Sequence, residues 1–212
     1  MALLFENKVR GVDKQSFIQK VKQVAYMLGY DPEWLMVVMN NESGFDPGAV
    51  NPHSGATGLI QFMPETATWL GTSTGQLKSM TRNQQLDWIL KYYQQWKKSG
   101  KKASNSTDLA LITFYPYAVN QPDTYKIGSE KSAERASTIS KQNPGLDIDN
   151  DGFISVLDYK KWLATRLPEG LSKEKTSAII GLKATKIGAS VLSVIALVYA
   201  GRYFMFYQKT TE

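Results

Sequence analysis

The chain contains no cysteine and a single histidine, His53. The first absence excludes disulfides, cysteine–metal centres and a thiol nucleophile. The second excludes His-rich metal sites and argues against a Ser–His–Asp triad. Over roughly the first 130 residues no run alternates apolar and polar positions as a half-buried strand would. Nor does the chain carry a long uninterrupted apolar stretch; the longest uncharged segment near its end, 187–201, has fifteen residues, where a straight membrane crossing needs about twenty. The balance of charge is positive, with 25 Lys and Arg against 19 Asp and Glu, for a net charge of +6. Lys97, Lys98, Lys101 and Lys102 concentrate part of it. Such a surface suits a polyanion. Charge alone does not say which, and no nucleic acid is expected.

Helix signals fill the first part of the chain. Asp13 is the expected cap of a helix ending at Gly29, with Phe17, Val21, Val24, Ala25 and Leu28 on one face. Asp31–Pro32 reads as a second start, because Asp is a favoured N-cap and Pro fits the first helical position. Gly44 reads as its stop. Within it Leu35, Val38, Met39 and Glu42 repeat at i, i+3, i+4 and i+7, a single helical face. Glu42 is therefore expected on the core-facing stripe at the helix C-terminus. Partial desolvation and the negative end of the helix dipole both raise a carboxyl pKa there, which suits a general acid. Pro64 opens a short helix to Leu70. A capped helix is expected over 82–98, with Leu86, Ile89, Leu90, Tyr93 and Trp96 inward. Another is expected over about 107–115, ended by Pro116.

Glu42–Ser43 is followed by a glycine-rich loop and by Gly58-Leu59-Ile60-Gln61-Phe62-Met63-Pro64. This pair of motifs resembles the active-site core of the soluble lytic transglycosylases, relatives of goose-type lysozyme that cleave peptidoglycan glycan strands. The resemblance implies a mainly α, lysozyme-like helical domain. It implies Glu42 as the catalytic acid and base, with no cofactor for catalysis, and Ser43, Gln61 and Met63 as substrate-binding residues. Phe62 is read as packing and His53 as a loop residue. A third family element, Ala-Tyr-Asn, has its counterpart around Tyr115, although Pro116 stands where the asparagine would be. Tyr115 is carried over as substrate-binding, and Tyr117 and Tyr125 as possible stacking surfaces.

The stretch 127–144 is polar and reads as a linker or a loosely packed helix. Asp147-Ile148-Asp149-Asn150-Asp151-Gly152-Phe153-Ile154-Ser155 follows. It has the DxDxDG pattern of an EF-hand or dockerin-like calcium loop, with carboxylates at positions 1, 3 and 5 and the turn glycine at 6. The expected ligands are Asp147, Asp149, Asp151, the carbonyl of Phe153, Ser155 and Asp158. Asp158 occupies the place of the usual bidentate Glu, so coordination there should be weaker. A single loop of this kind suits a structural Ca2+ clamp. A helix over 156–167 should follow, with Tyr159, Trp162 and Leu163 available to pack on the main domain.

Past residue 170 the composition changes. Ile187 to Tyr207, with Arg202 snorkelling and Tyr199, Tyr203 and Tyr207 at an interface, is read as a transmembrane anchor. The organisation expected is a transglycosylase domain (1–130), a linker with the calcium loop and helix (131–170), and an anchor segment (171–212). No secretory signal is read near the N-terminus. A virion-associated enzyme in the internal membrane of a bacteriophage, in contact with other virion proteins, fits these features; a bacterial inner-membrane enzyme facing the periplasm is the rival. Three functions stay open: a lytic transglycosylase, a hydrolysing lysozyme with a second carboxylate among Asp46, Glu65 and Asp87, and an inactive membrane-anchored structural or glycan-binding protein.

Overall fold

Residues 2–182 are described by a computed structural model. The transmembrane segment expected over 187–207 lies outside them. Among the described residues no helix is long and apolar enough to cross a membrane, and there is no strand, only isolated bridges. The chain divides into two compact units, the first ending at Val119 and the second beginning at Asn120. The main-domain boundary expected near 130 thus falls earlier, just after the short 3-10 turn Pro116–Ala118 that follows the Pro116 break.

The first unit is built from α1 (Lys14–Leu28), α2 (Pro32–Glu42), α3 (Pro64–Leu70), α4 (Thr74–Ser79), α5 (Arg82–Lys98) and α6 (Ser106–Phe114). Its boundaries follow local chemistry. The Asp31 side chain accepts from the Glu33 N–H, and Pro32 opens α2. Thr81 and Gln84 form a reciprocal capping box on α5. Pro64 opens α3, and Gly71 closes it in the left-handed region at φ 84°. Asp13 behaves differently from the expectation. It sits at the head of α1 with φ −85° and ψ 0° and accepts no cap hydrogen bond. An N-cap normally needs extended backbone. Its carboxylate instead pairs with Arg82 at the start of α5. That charge-assisted hydrogen bond, partly opposed by burial, lowers the Asp13 pKa.

Helix α2 packs against both α1 and α6, and α1 also packs against α5. The sequence suggested one buried face on α2. In fact Leu35, Met36, Val37, Val38 and Met39 are all buried. A helix apolar all round belongs inside a core, and Glu42 is the last residue of that helix.

The second unit holds α7 (Ala133–Gln142), α8 (Val156–Ala164) and α9 (Lys173–Ile180). The polar stretch read as a linker or a loosely packed helix contains α7, whose N-cap Ser132 accepts from the Arg135 N–H and whose buried face is Ala136, Ile139 and Ser140. Helix α8 ends at Ala164, short of the expected Leu167. Before and after the acidic loop the chain pairs with itself. Ile127 N–H donates to the Ile154 carbonyl at 2.8 Å, and Val156 N–H to the Tyr125 carbonyl at 3.0 Å. Ile127, Ile154 and Leu163 are fully buried in this unit.

Candidate active site

Glu42 keeps part of its residue surface open, yet its carboxyl group is packed about by protein. It makes no hydrogen bond or ion pair among the described residues. Burial alone pushes its pKa up from the ordinary 4.5 to about 7, because the charged form loses its hydration and gains no partner in return. A carboxyl group with that pKa is about half protonated at neutral pH, so it can both give a proton and take one back. Both halves of acid–base catalysis need that property.

The chain after Glu42 folds back so that the second motif lies beside the first. The Ser43 hydroxyl donates to the Leu59 carbonyl at 3.0 Å, with the Met39 carbonyl at 3.3 Å. Ser43 thus ties the end of α2 to the GLxQ segment. Gln61 has φ 52°, an uncommon left-handed conformation for a residue with a side chain. Its Nε2 donates to the carbonyls of Gly58 at 3.1 Å and Ala49 at 3.3 Å. Half of the Gln61 amide is therefore spent on holding the loop, while its Oε1 has no hydrogen-bond partner among the described residues. Met63 heads α3 and is 42% exposed, whereas Phe62 is buried as expected of a packing residue. His53 lies exposed in the intervening loop.

Two residues that matter here were not singled out by the sequence. Gln85 on α5 is fully buried. Its Oε1 accepts from the Leu59 N–H at 2.8 Å, and its Nε2 donates to the carbonyls of Pro47 and Leu77, each at 2.7 Å. One side chain thus braces both sides of the loop. Gly58 makes room for it: a Cβ there would sit 2.5 Å from the Gln85 Oε1, and its φ of 86° already favours glycine. The other residue is Tyr92. Its hydroxyl donates to the Ile112 carbonyl near the end of α6 at 2.7 Å. Its pKa is raised, chiefly by burial and in part by the charge of Glu42 nearby. Its ring meets Phe62 edge-on at 5.8 Å.

Residues 19–88 match the family model of the transglycosylase SLT domain. This region is of the soluble lytic transglycosylase type. No solved structure matches the chain. The SLT match contains Glu42, Ser43, Gln61 and Met63 and makes peptidoglycan the substrate class of the domain. It stops before Tyr92 and Tyr115. Tyr115 is the C-terminal cap of α6, half-buried, with its ring centroid 6.2 Å from that of Tyr117. Of the carboxylates considered as partners of Glu42, Asp87 is bonded to Lys20 at 2.7 Å and Asp46 accepts from the Gly48 N–H at 2.8 Å. Glu65 lies in the first turn of α3.

Outside the SLT region, the acidic loop gathers Asp147, Asp149 and Asp151 so that one carboxylate oxygen from each lies within 4.8 Å of the others. Asp147 Oδ2 accepts from the Gly152 N–H at 3.0 Å, while its Oδ1 is buried with no hydrogen-bond partner. Asn150 and Gly152 take the left-handed conformations that turn the loop, at φ 60° and 85°. Asp158 is not brought to this group. It is buried, and its Oδ2 accepts from the N–H of Ser155 at 3.0 Å and from the Ser155 hydroxyl at 2.5 Å, completing a capping box on α8. The side chain of Ser155 is engaged in the same box. Phe153 donates its N–H to Asp151 Oδ1 at 2.9 Å. Lys126 Nζ reaches Asp151 Oδ2 at 3.1 Å and lies 3.6 Å from the Phe153 ring centroid.

Proposed function

We propose that this protein is a peptidoglycan lytic transglycosylase in which Glu42 performs both proton transfers. The protonated acid gives its proton to the glycosidic oxygen between N-acetylmuramic acid and N-acetylglucosamine. The C1–O bond breaks as the sugar takes on oxocarbenium character. The resulting carboxylate then removes the proton from the muramyl 6-hydroxyl, whose oxygen closes on C1 to give a 1,6-anhydro end. Glu42 finishes the cycle protonated, as it began.

The observation that carries this reading is a single desolvated carboxyl group with a pKa of about 7. A hydrolysing lysozyme would place a second carboxylate at the sugar to activate water or trap the cation. Of the three candidates, Asp87 and Asp46 are instead engaged with Lys20 and the Gly48 N–H, and Glu65 is exposed in the first turn of α3, without the burial that marks Glu42. A substrate that supplies its own nucleophile needs only one. In this reading Ser43 and Gln61 fix the loop against Glu42, Gln61 Oε1 and Met63 meet the sugar, and Tyr115 adds surface to the groove. The deciding experiment is mass spectrometry of the muropeptides released by the full-length chain. Anhydro ends support the transglycosylase, whereas reducing ends support the lysozyme.

The acidic loop is proposed to hold one Ca2+ through Asp147, Asp149, Asp151 and the Phe153 carbonyl, as a clamp on the second unit. The buried, partnerless Asp147 Oδ1 supports it, since an anionic oxygen out of water without a donor is costly. Asp158 and Ser155, spent on the α8 cap, make the site a weaker one than a full EF-hand. A membrane anchor over 187–207 and a place in a phage virion rest on sequence alone. Detection of the protein in purified virions tests them, and its absence there would exclude that placement.

A further inference from the structure

An exposed tryptophan is unusual, and this one is not isolated. Trp69, on α3, is 55% exposed. Its ring lies 5.8 Å from that of Trp96, tilted by 50°, and meets Tyr92 edge-on at 6.5 Å. Tyr92 in turn meets Phe62 and senses the charge of Glu42. Met63, one residue past Phe62, is also exposed. The cluster of Phe62, Tyr92 and Trp96 therefore ends at an open indole face. The rings behind Trp69 fix its orientation, and little of that ordering cost remains for a ligand. Trp96 itself meets Tyr92 edge-on at 6.4 Å, so the ring behind Trp69 is held in place in turn.

We infer that Trp69, backed by Trp96, is a stacking platform for a pyranose ring of the bound glycan, separate from the position where the bond is cut. The chemistry fits a sugar better than a protein partner. One flat, rigid apolar face matches the axial C–H face of a β-1,4-linked ring, whereas the hydrophobic core of a protein interface calls for a larger buried patch. The platform gives a long strand a hold that a short fragment lacks. This inference rests on the peptidoglycan reading for its ligand, but it concerns binding and not cleavage.

The test uses the full-length Glu42→Gln protein, so that nothing is consumed, and β-1,4 N-acetylglucosamine oligomers of increasing length as the probe, titrated calorimetrically. Trp69→Ala should weaken binding of the long oligomers roughly tenfold, as loss of one aromatic stacking contact does, and leave the shortest ones unaffected. Trp69→Phe should recover most of the loss. In the Glu42 background, Trp69→Ala should raise KM on long strands with kcat nearly unchanged. Equal binding by Trp69→Ala and its parent at every length would overturn the platform, and so would an equal loss at every length. The unfolding temperature of Trp69→Phe checks that folding is intact. If wild type releases no muropeptides yet Trp69→Ala loses affinity for long oligomers, the catalytic reading fails and the platform stands. If cleavage occurs and affinity is indifferent to Trp69, the platform fails alone.

Discussion

Glu42 and the Asp147–Asp149–Asp151 loop use one functional group in opposite ways. Glu42 is packed about by protein at the end of α2 and makes no hydrogen bond among the described residues. It meets the cost of burial by keeping its proton, with a pKa of about 7. The three aspartates are brought within 4.8 Å of one another at a largely exposed turn, where water and the Lys126 ammonium ease their repulsion. Burial of one carboxyl favours proton chemistry, and convergence of several in a hydrated turn favours a hard cation. Neither property belongs to the residue type. Each follows from what the backbone surrounds it with.

The sharpest way to break this contrast is to remove the Glu42 proton. Glu42→Gln should lower kcat/KM on peptidoglycan by roughly 10³-fold or more, the scale of a lost general acid. A dye-release assay on purified cell walls checks it. The wild-type kcat/KM should itself fall tenfold per pH unit above about 7, since only the protonated enzyme starts the reaction.

The same substitution should act oppositely on stability. A carboxyl whose folded pKa is raised supports the fold only while it is protonated. The loss begins above the ordinary value of 4.5 and is complete once pH passes about 7. At pH 9 Glu42→Gln should therefore be more stable than wild type by about 3 kcal/mol, and near pH 4 it should show no gain. Urea unfolding at the two pH values measures the difference.

Gln85→Leu comes next. It leaves the Leu59 N–H and the carbonyls of Pro47 and Leu77 without their side-chain partner, a loss on the order of 2–3 kcal/mol. Gly58→Ala should cost a similar amount, because the new methyl meets the Gln85 amide. Both should lower activity further than stability alone explains, since both loosen the loop facing Glu42. The smallest effect is expected at the acidic loop. Chelation of Ca2+ should lower the unfolding temperature of the second unit by several degrees, with a dependence on free calcium that Asp147→Asn abolishes. Cleavage by the first unit should be little changed.

Sequence and structure agree where a local rule is strong. Asp31–Pro32, Thr81, and Pro64 with Gly71 punctuate α2, α5 and α3 through short-range hydrogen bonds and fixed φ angles, and such features can be read a few residues at a time. The position of Glu42 at the end of a buried helix was legible for the same reason. Gln85 and Tyr92 were not. A glutamine on a helix otherwise reads as solvated, and its partners at positions 47, 59 and 77 are distant in sequence. Tyr92 adjoins the equally buried Tyr93, so a narrow helical stripe admits one and overlooks the other. Asp13 illustrates the reverse: a residue with every local sign of a cap was drawn away by Arg82.

The most direct test of the account is a carbon-13 NMR titration of the glutamate side-chain carboxyls in the full-length protein, with Glu42→Gln as the assignment control. The account predicts one glutamate resonance, missing from the variant, that titrates near pH 7 while the remaining glutamates ionise in the ordinary acidic range. A Glu42 carboxyl that ionises together with the others would contradict it, and would remove the physical basis for a single group acting as both acid and base.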